Sequence, residues 1–356
     1  RACRFVPLRG REAGLTVAGV RQWWADTVAR AASAQQQEGR HCGPVSQLQA
    51  YANLTYSSVG SAVKKPLSVL VSSTEPRQGE TVSVFVRPVD GNPLLRLDLK
   101  LRALLSEKLR FHTLDVRCGA RRVPLLPMEG GKWRALLPTT PLDSPGDFEL
   151  QIVMHGPWPR VLYCTDMTLR GKEFGVESIW LPEGKEDTQE SSSLEDEEMT
   201  KLYATMSPRQ LWSGPFIRPS RGLITSPYGI RRYYNGVWAQ NYFHRGLDYG
   251  AAKGTPVVAP ANGDVVLVGK EEEGYKVCGN CIGIDHGHGV VSIFMHLNTV
   301  DAAVGQRFTK GDVIGTVGST GRSTGAHLHW GLMVHGESVD PTSWLGCMEN
   351  YTKMKG

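Results

Sequence analysis

His327 and His329 stand one residue apart in Gly321-Arg-Ser-Thr-Gly-Ala-His-Leu-His-Trp-Gly331, and Leu332-Met-Val334 follows directly. In a strand, side chains alternate faces, so residues i and i+2 point the same way and both imidazoles project into one site. The Gly-Ser-Thr-Gly-Arg-Ser-Thr-Gly run ahead of them is a turn-rich approach that can bring the strand end against a ligand. Seven of the ten histidines fall between residues 244 and 335. His244-Arg-Gly-Leu-Asp248 adds an imidazole and a carboxylate, and His296 a further imidazole. Two histidines and one carboxylate form a common three-ligand set for catalytic zinc, with the fourth position left to water. The metal lowers that water's pKa to about 7 and polarises a carbonyl. Such a centre also needs groups that move protons and stabilise an oxyanion, and spare histidines suit that. Residue types alone leave open which imidazoles bind and which react.

The chain around these residues has 356 positions, enough for two or three domains. Hydrophobic content of 40% and charged content of 21% are those of a globular protein. No apolar run reaches the roughly 20 residues that span a bilayer, so no transmembrane segment is expected. The net charge of +5 is modest and spread out. It is compatible with an anionic polymer such as a cell wall and gives no argument for nucleic acid. The seven cysteines (Cys3, Cys42, Cys118, Cys164, Cys278, Cys281 and Cys347) are odd in number and too sparse for a disulfide scaffold. Cys278-Gly-Asn-Cys281 reads first as two incidental thiols and second as a local disulfide or redox pair, since no second C-x-x-C completes a zinc site.

Residues 1–65 open at Arg1 and form a basic leader or tail. Arginines at 1, 4, 9, 11, 21, 30 and 40 face few acids, and residues 21–32 suit an amphipathic helix. Such a leader fits either a processed targeting segment or a basic tail. Residues 66–170 read as a small Ig-like β-sandwich. Leu67–Val71, Thr81–Val86, Lys132–Leu137 and Phe148–Val153 are strand-like, and the turn signals are Glu75–Gly79, Asp90–Pro93 and Ser144–Gly146. His112 and His155 have no partner motif there. Residues 171–210 contain Glu186, Asp187, Glu190 and Glu195–Glu198 around Ser191–Ser193, the composition of an acidic, solvated linker. Residues 211–346 are again β-rich and glycine-punctuated, with a hairpin expected at Asn262-Gly263, and 347–356 form a C-terminal tail. The fold class is mainly β throughout.

The segment from about Trp212 to Leu345 resembles the catalytic domain of the LytM/lysostaphin-type zinc endopeptidases, which cut peptide bonds in bacterial peptidoglycan. The resemblance is carried by Ser226-Pro-Tyr-Gly-Ile-Arg231, His244-Arg-Gly-Leu-Asp-Tyr249, Gly254-Thr-Pro-Val-Val-Ala-Pro260, Ile284-Asp-His-Gly287, Met295-His-Leu297 and Gly318–Gly331. It implies an antiparallel β-sheet of the duplicated hybrid motif type. It also implies Zn2+ held by His244, Asp248 and His329, with His296 and His327 as unliganded catalytic histidines. The implied partner is peptidoglycan or a cell-wall peptide, and the implied location is extracytoplasmic in a bacterium. A small β domain joined through a Leu-Trp-Ser-Gly-Pro-Phe-like segment is similar to cyanobacterial members. With the basic leader, that layout fits a plastid if the source is a photosynthetic eukaryote.

Other residues have plainer readings. His286 and His288 suit turn or hydrogen-bonding positions, His335 an exposed turn, and Trp330 the core. Arg231 and Arg232 fit either an anionic substrate or structural ion pairs. Two other functions compete with the hydrolase. One is a non-catalytic wall-peptide binder or hydrolase activator, a kind of relative that typically lacks a metal ligand. The other is a phosphocarrier-like domain, suggested by Val257-Val-Ala-Pro260 and Lys310-Gly-Asp-Val-Ile-Gly315, which would not need His244 and Asp248 as a metal pair.

Overall fold

A computed structural model describes residues 67–88, 114–154, 160–180 and 191–346. The basic leader, the 90–93 turn, His112, His155, the acidic residues 186–190, Cys3, Cys42, Cys347 and the C-terminal tail lie outside the described residues.

The first region is built from β1 (Leu67–Val71), β2 (Thr81–Pro88), β3 (Leu114–Cys118), β4 (Arg121–Pro124), β5 (Leu126–Met128), β6 (Lys132–Pro138), β7 (Gly146–Met154) and β8 (Arg160–Leu169). They form two antiparallel four-stranded sheets, ordered β1-β2-β6-β5 and β4-β3-β7-β8. In β2, Val82, Val84 and Val86 are buried while Ser83 and Phe85 are half-buried, the period-two pattern of a strand with one face on a core. These valines meet Val116, Leu150 and Ile152 of the other sheet in one apolar cluster, so the region is a β-sandwich.

Between the two regions lie β9 (Val176–Ile179) and α1 (Ser193–Tyr203). The acidic stretch expected as a solvated linker is helical from Ser193. Ser192 caps α1 by accepting from Glu195 N, and Glu195 and Asp196 sit in its first turn, where carboxylates favour the helix N-terminus. Met199 and Leu202 bury one side of it against the sheet described next.

The second region holds β10 (Leu223–Ser226), β11 (Arg231–Tyr234), β12 (Val237–Trp238), β13 (Gly246–Gly250), β14 (Pro256–Val258), β15 (Gly263–Gly269), β16 (Cys281–Gly287), β17 (Val290–Met295), β18 (Leu297–Val300), β19 (Arg307–Phe308), β20 (Val313–Val317), β21 (His327–Val334) and β22 (Glu337–Val339). The main sheet is ordered β10-β13-β21-β17-β16-β15-β19, with β22 on β21. Two three-stranded sheets accompany it, β14-β20-β18 and β12-β11-β9, and β9 pairs parallel to β11. Asn262-Gly263 is not a hairpin turn: β14 pairs with β20, while β15 pairs with β16 and β19. The Asn262 carbonyl and side chain instead serve His286 Nδ1 and the Lys310 amide.

The sheet uses both faces. Leu328, Trp330, Leu332 and Val334 of β21 join Leu247, Tyr249, Ile282, Ile284 and Phe294 in the largest core cluster. On the opposite face, Met333, Ile293 and Cys281 pack under α1. His327 and His329 share that face with Met333, at its other end. Trp330 is fully buried, as its apolar surroundings suggest. The sandwich abuts this region: Leu136 of β6 enters the same core, and Arg134 lies 4.6 Å over the Trp212 ring. Among the described residues, no helix is long and apolar enough to cross a membrane.

Candidate metal centre

β13 and β21 run antiparallel, and their register sets Asp248 opposite His329. Cross-strand partners share a face, and Asp248 Oδ1 lies 2.8 Å from His329 Nδ1. His244 enters from the segment just before β13, with Nε2 3.1 Å from both Asp248 Oδ1 and His329 Nδ1. Its other nitrogen, Nδ1, donates to the Pro227 carbonyl at 2.9 Å. A carbonyl only accepts, so Nε2 presents a lone pair to the site. Two acceptors this close need a proton or a cation between them.

These three side chains form a group whose ligand atoms converge closely enough to hold a metal ion. Ligand atoms around a tetrahedral ion with bonds of about 2.0–2.1 Å stand roughly 3.3 Å apart, and the observed 2.8–3.1 Å separations are close to that. Two imidazole nitrogens and a carboxylate oxygen suit zinc and other first-row divalent ions. The donor set therefore fits a divalent metal. Burial works to raise the Asp248 carboxyl, but the facing imidazoles of His244 and His329 outweigh it and hold the group well below the ordinary carboxylate range. Burial also lowers His329 against the pull of Asp248, which favours the neutral imidazole that a metal requires. Gly246 lies directly opposite Gly331 in the ladder. A Cβ there would come within 2.8 Å of His329 Nε2 and 2.4 Å of the Trp330 carbonyl, so only glycine fits under the ring.

The two remaining histidines flank this cluster. The His296 ring centroid is 4.8 Å from that of His327 and 6.3 Å from that of His329. His296 follows β17 with a φ of +64°, a left-handed conformation that aims its side chain back across the sheet end. Its Nδ1 donates to the Thr320 carbonyl at 2.9 Å, and His327 Nδ1 donates to the Gly325 carbonyl at 2.9 Å. Both rings therefore keep Nε2 as an acceptor, and His327 Nε2 stands 3.9 Å from Asp248 Oδ1. Burial, with help from His327 and His329, lowers His296 to about 3. It is neutral at physiological pH.

All five singled-out residues thus come together: His244, Asp248 and His329 in contact, His296 and His327 beside them. The supporting acceptors, Pro227 of Ser-Pro-Tyr-Gly and Thr320 and Gly325 of the glycine-rich turn, act through backbone carbonyls and so leave no mark in residue type. Ser226 Oγ stands 3.4 Å from His244 Nδ1 and accepts from Arg232, which also pairs with Glu177 at 3.2 Å. Arg232 thus takes the structural of its two readings. His286 is fully buried between the Asn262 carbonyl and Ser292 Oγ, and His288 sits between two glycines with φ +53°, its Nδ1 3.2 Å from Arg134. Neither belongs to the group formed by His244, Asp248 and His329. His335 is half-buried, and it and Gly336 both adopt positive φ in the tight turn joining β21 to β22.

Residues 242–341 match the family model described as Peptidase family M23, a span that holds all five residues. The DD-carboxypeptidase/endopeptidase Mpg of Neisseria meningitidis serogroup B is 42% identical over 121 residues, which are 34% of this chain and 26% of that protein. The peptidoglycan DD-endopeptidase ShyA of Vibrio cholerae is 36% identical over 121 residues, 34% of this chain and 27% of that protein. Among solved structures, the catalytic domain of the prophage-encoded M23 protein EnpA of Enterococcus faecalis is 30% identical. That match covers 37% of this chain and 98% of the other, with a TM-score of 0.31. The chain spans about a quarter of the length of the curated relatives it matches. Residues 242–341, with their histidines and aspartate in place, are thus a peptidase family M23 domain, of the LytM/lysostaphin kind.

Proposed function

We propose that this chain is a zinc-dependent endopeptidase that hydrolyses peptide bonds in peptidoglycan or related cell-wall peptides. The observation that carries the reading is the division of labour among four histidines. Two, His244 and His329, bring a ring nitrogen against Asp248 Oδ1, and two stand beside them with Nδ1 tied to a carbonyl and Nε2 open. His244, Asp248 and His329 hold the metal. When bound, zinc supplies Lewis-acid polarisation of the scissile carbonyl and acidifies a water molecule. His327 Nε2 accepts a proton from the attacking water and returns it to the leaving amine. His296, neutral because it is buried, orients that water, and once protonated either imidazole stabilises the developing oxyanion. The names of the peptidoglycan DD-endopeptidases ShyC and ShyA support the substrate class, and a wall substrate is in keeping with a location outside the cytoplasm.

Residues 66–170 serve as a positioning or binding module and 211–346 as the peptidase domain. The intervening 171–210 is bound to the peptidase side through β9 and α1. The experiment is release of new amino groups from purified peptidoglycan before chelation, after chelation and after return of zinc. Cleavage that is lost and then restored is expected. Zinc bound at one per chain with no cleavage of any wall type would favour a wall-binding relative.

A further inference from the structure

Cys278 and Cys281 have no part in the chemistry above, yet their loop is the support on which His296 rests. The His296 amide donates to the Cys278 carbonyl at 2.9 Å, and the Leu297 amide to the Asn280 carbonyl at 2.9 Å. Asn280 N donates to Thr320 Oγ1 at 3.0 Å, and the Thr320 carbonyl is the acceptor that fixes the His296 tautomer. The Arg322 amide donates to the Val277 carbonyl at 3.0 Å, which ties in the turn leading to His327. Gly279 has φ +62°, and a Cβ on it would fall 2.4 Å from the Thr320 carbonyl carbon, so this contact has no slack. Motion of residues 278–280 therefore reaches His296 and Thr320 directly. Among the described residues, none of the hydrogen bonds made by the side chains of His244, Asp248 and His329 goes to this loop.

Both thiols are free, buried, and part of the same apolar cluster. They lie under α1, packed with Met199 and Leu202. Glu195 of that helix, 1% exposed, accepts the amides of Cys278 at 2.6 Å and Val277 at 3.1 Å. An 11-residue helix is marginal by itself, so lifting α1 is a local opening short of global unfolding.

We propose that Cys278 and Cys281 form a reversible intramolecular disulfide by exchange with a disulfide-bearing small molecule or protein, and that this bond displaces His296 and slows the reaction without releasing the metal. Once α1 lifts, the Cys278 thiolate attacks one sulfur of the incoming disulfide and expels a thiol. The Cys281 thiolate then attacks the Cys278 sulfur of the mixed disulfide and expels the second. Two protein thiols lose two electrons, the incoming disulfide is reduced to two thiols, and the two protons pass to the departing thiolates. Closing the bond draws the sulfurs to about 2.05 Å, and the Cys278 carbonyl that holds His296 moves with them.

The effect on turnover rests on the proposed peptidase activity; the effect on His296 does not. The test incubates the full chain with oxidised glutathione, maps the link by mass spectrometry, and measures zinc content, wall-peptide cleavage and the His296 imidazole NMR resonances. A Cys278–Cys281 link, shifted His296 resonances, unchanged zinc and a kcat lowered roughly tenfold to a hundredfold are expected, all reversed by dithiothreitol. Glu195→Gln is expected to speed oxidation by loosening α1, and the Cys278→Ala/Cys281→Ala double variant to keep its activity under the oxidant. No link in either wild type or Glu195→Gln would overturn the proposal, as would a link that leaves the His296 resonances in place. Equal loss in the double variant would also overturn it. If neither redox form cleaves wall peptide, the peptidase reading fails, while the His296 resonances still decide this one.

Discussion

The β-sandwich and the eight-stranded sheet are both layered β structures, but they treat polar groups in opposite ways. The sandwich cluster is almost wholly aliphatic, with Val84, Val116, Leu137, Leu150 and Ile152 fully buried. Of its buried polar side chains, Asp115 of β3 pairs with Arg122 at 3.4 Å, while Gln78, Arg134, Thr139 and Thr140 lie on the segments that meet or flank the second region. The second region buries His244, Asp285, His286, His288, Ser292, His296 and His329. Most of these have a defined partner: His286 bonds Asn262 and Ser292, Asp285 accepts from Ser207 and Gly287, and His296 bonds Thr320. Burying an imidazole is unfavourable unless it is hydrogen-bonded, so a sheet that collects so many is specified by its polar network as much as by its apolar packing. One region is built to be stable, the other to hold reactive groups still.

Substitutions can separate the two. Asp248→Ala is expected to have the largest effect: stoichiometric zinc and cleavage are both lost, while the sandwich stays folded, read by metal analysis and near-ultraviolet circular dichroism. Retained zinc would break the assignment of Asp248 as a ligand. Next is His296→Ala, expected to keep the metal and lower kcat about 10²- to 10⁴-fold, the usual contribution of a positioned proton-transfer group. On the other side, Leu137→Ala removes a fully buried side chain of β6 and is expected to cost about 2–5 kcal/mol in denaturant unfolding of the sandwich. Zinc content should be unchanged, and zinc loss in that variant would show that the regions are not separable.

Acid provides the smallest and most graded contrast. Burial lowers His286 to about 4, and burial with Arg134 lowers His288 to about 4, from an ordinary 6.5. Between those values the unfolded chain takes up protons that the folded chain refuses, so stability falls as pH falls. The contribution is fully present above pH 6.5, is lost progressively toward pH 4, and amounts to at most about 3 kcal/mol per histidine. Unfolding followed at several pH values is expected to show the peptidase region weakening over this window. His286→Gln should flatten the dependence.

The alternation of β21 was legible in the sequence, because His327 and His329 sit in an apolar strand whose period-two pattern sets their faces. The pairing of Asp248 with His329 was not legible from pattern, since register is a property of two strands; family resemblance supplied it. The supporting carbonyls of Pro227, Thr320 and Gly325 were invisible because any residue type offers a carbonyl. α1 was hidden by its composition: Ser193–Tyr203 carries four acids, and only Met199 and Leu202 mark its apolar side. Its buried Glu195 reads as solvated until the amides of Val277 and Cys278 are seen to receive it. The Asn262-Gly263 pair shows the converse error, a strong local turn signal overridden by the long-range pairing of β14 with β20.

The most direct test of the central claim compares His327→Ala with His329→Ala, two substitutions of the same type two residues apart on one strand face. Zinc content and release of amino groups from purified peptidoglycan are measured on both. The account predicts that both lose cleavage, that His327→Ala keeps one zinc per chain, and that His329→Ala loses it. Zinc retained by His329→Ala, or lost by His327→Ala, would contradict it.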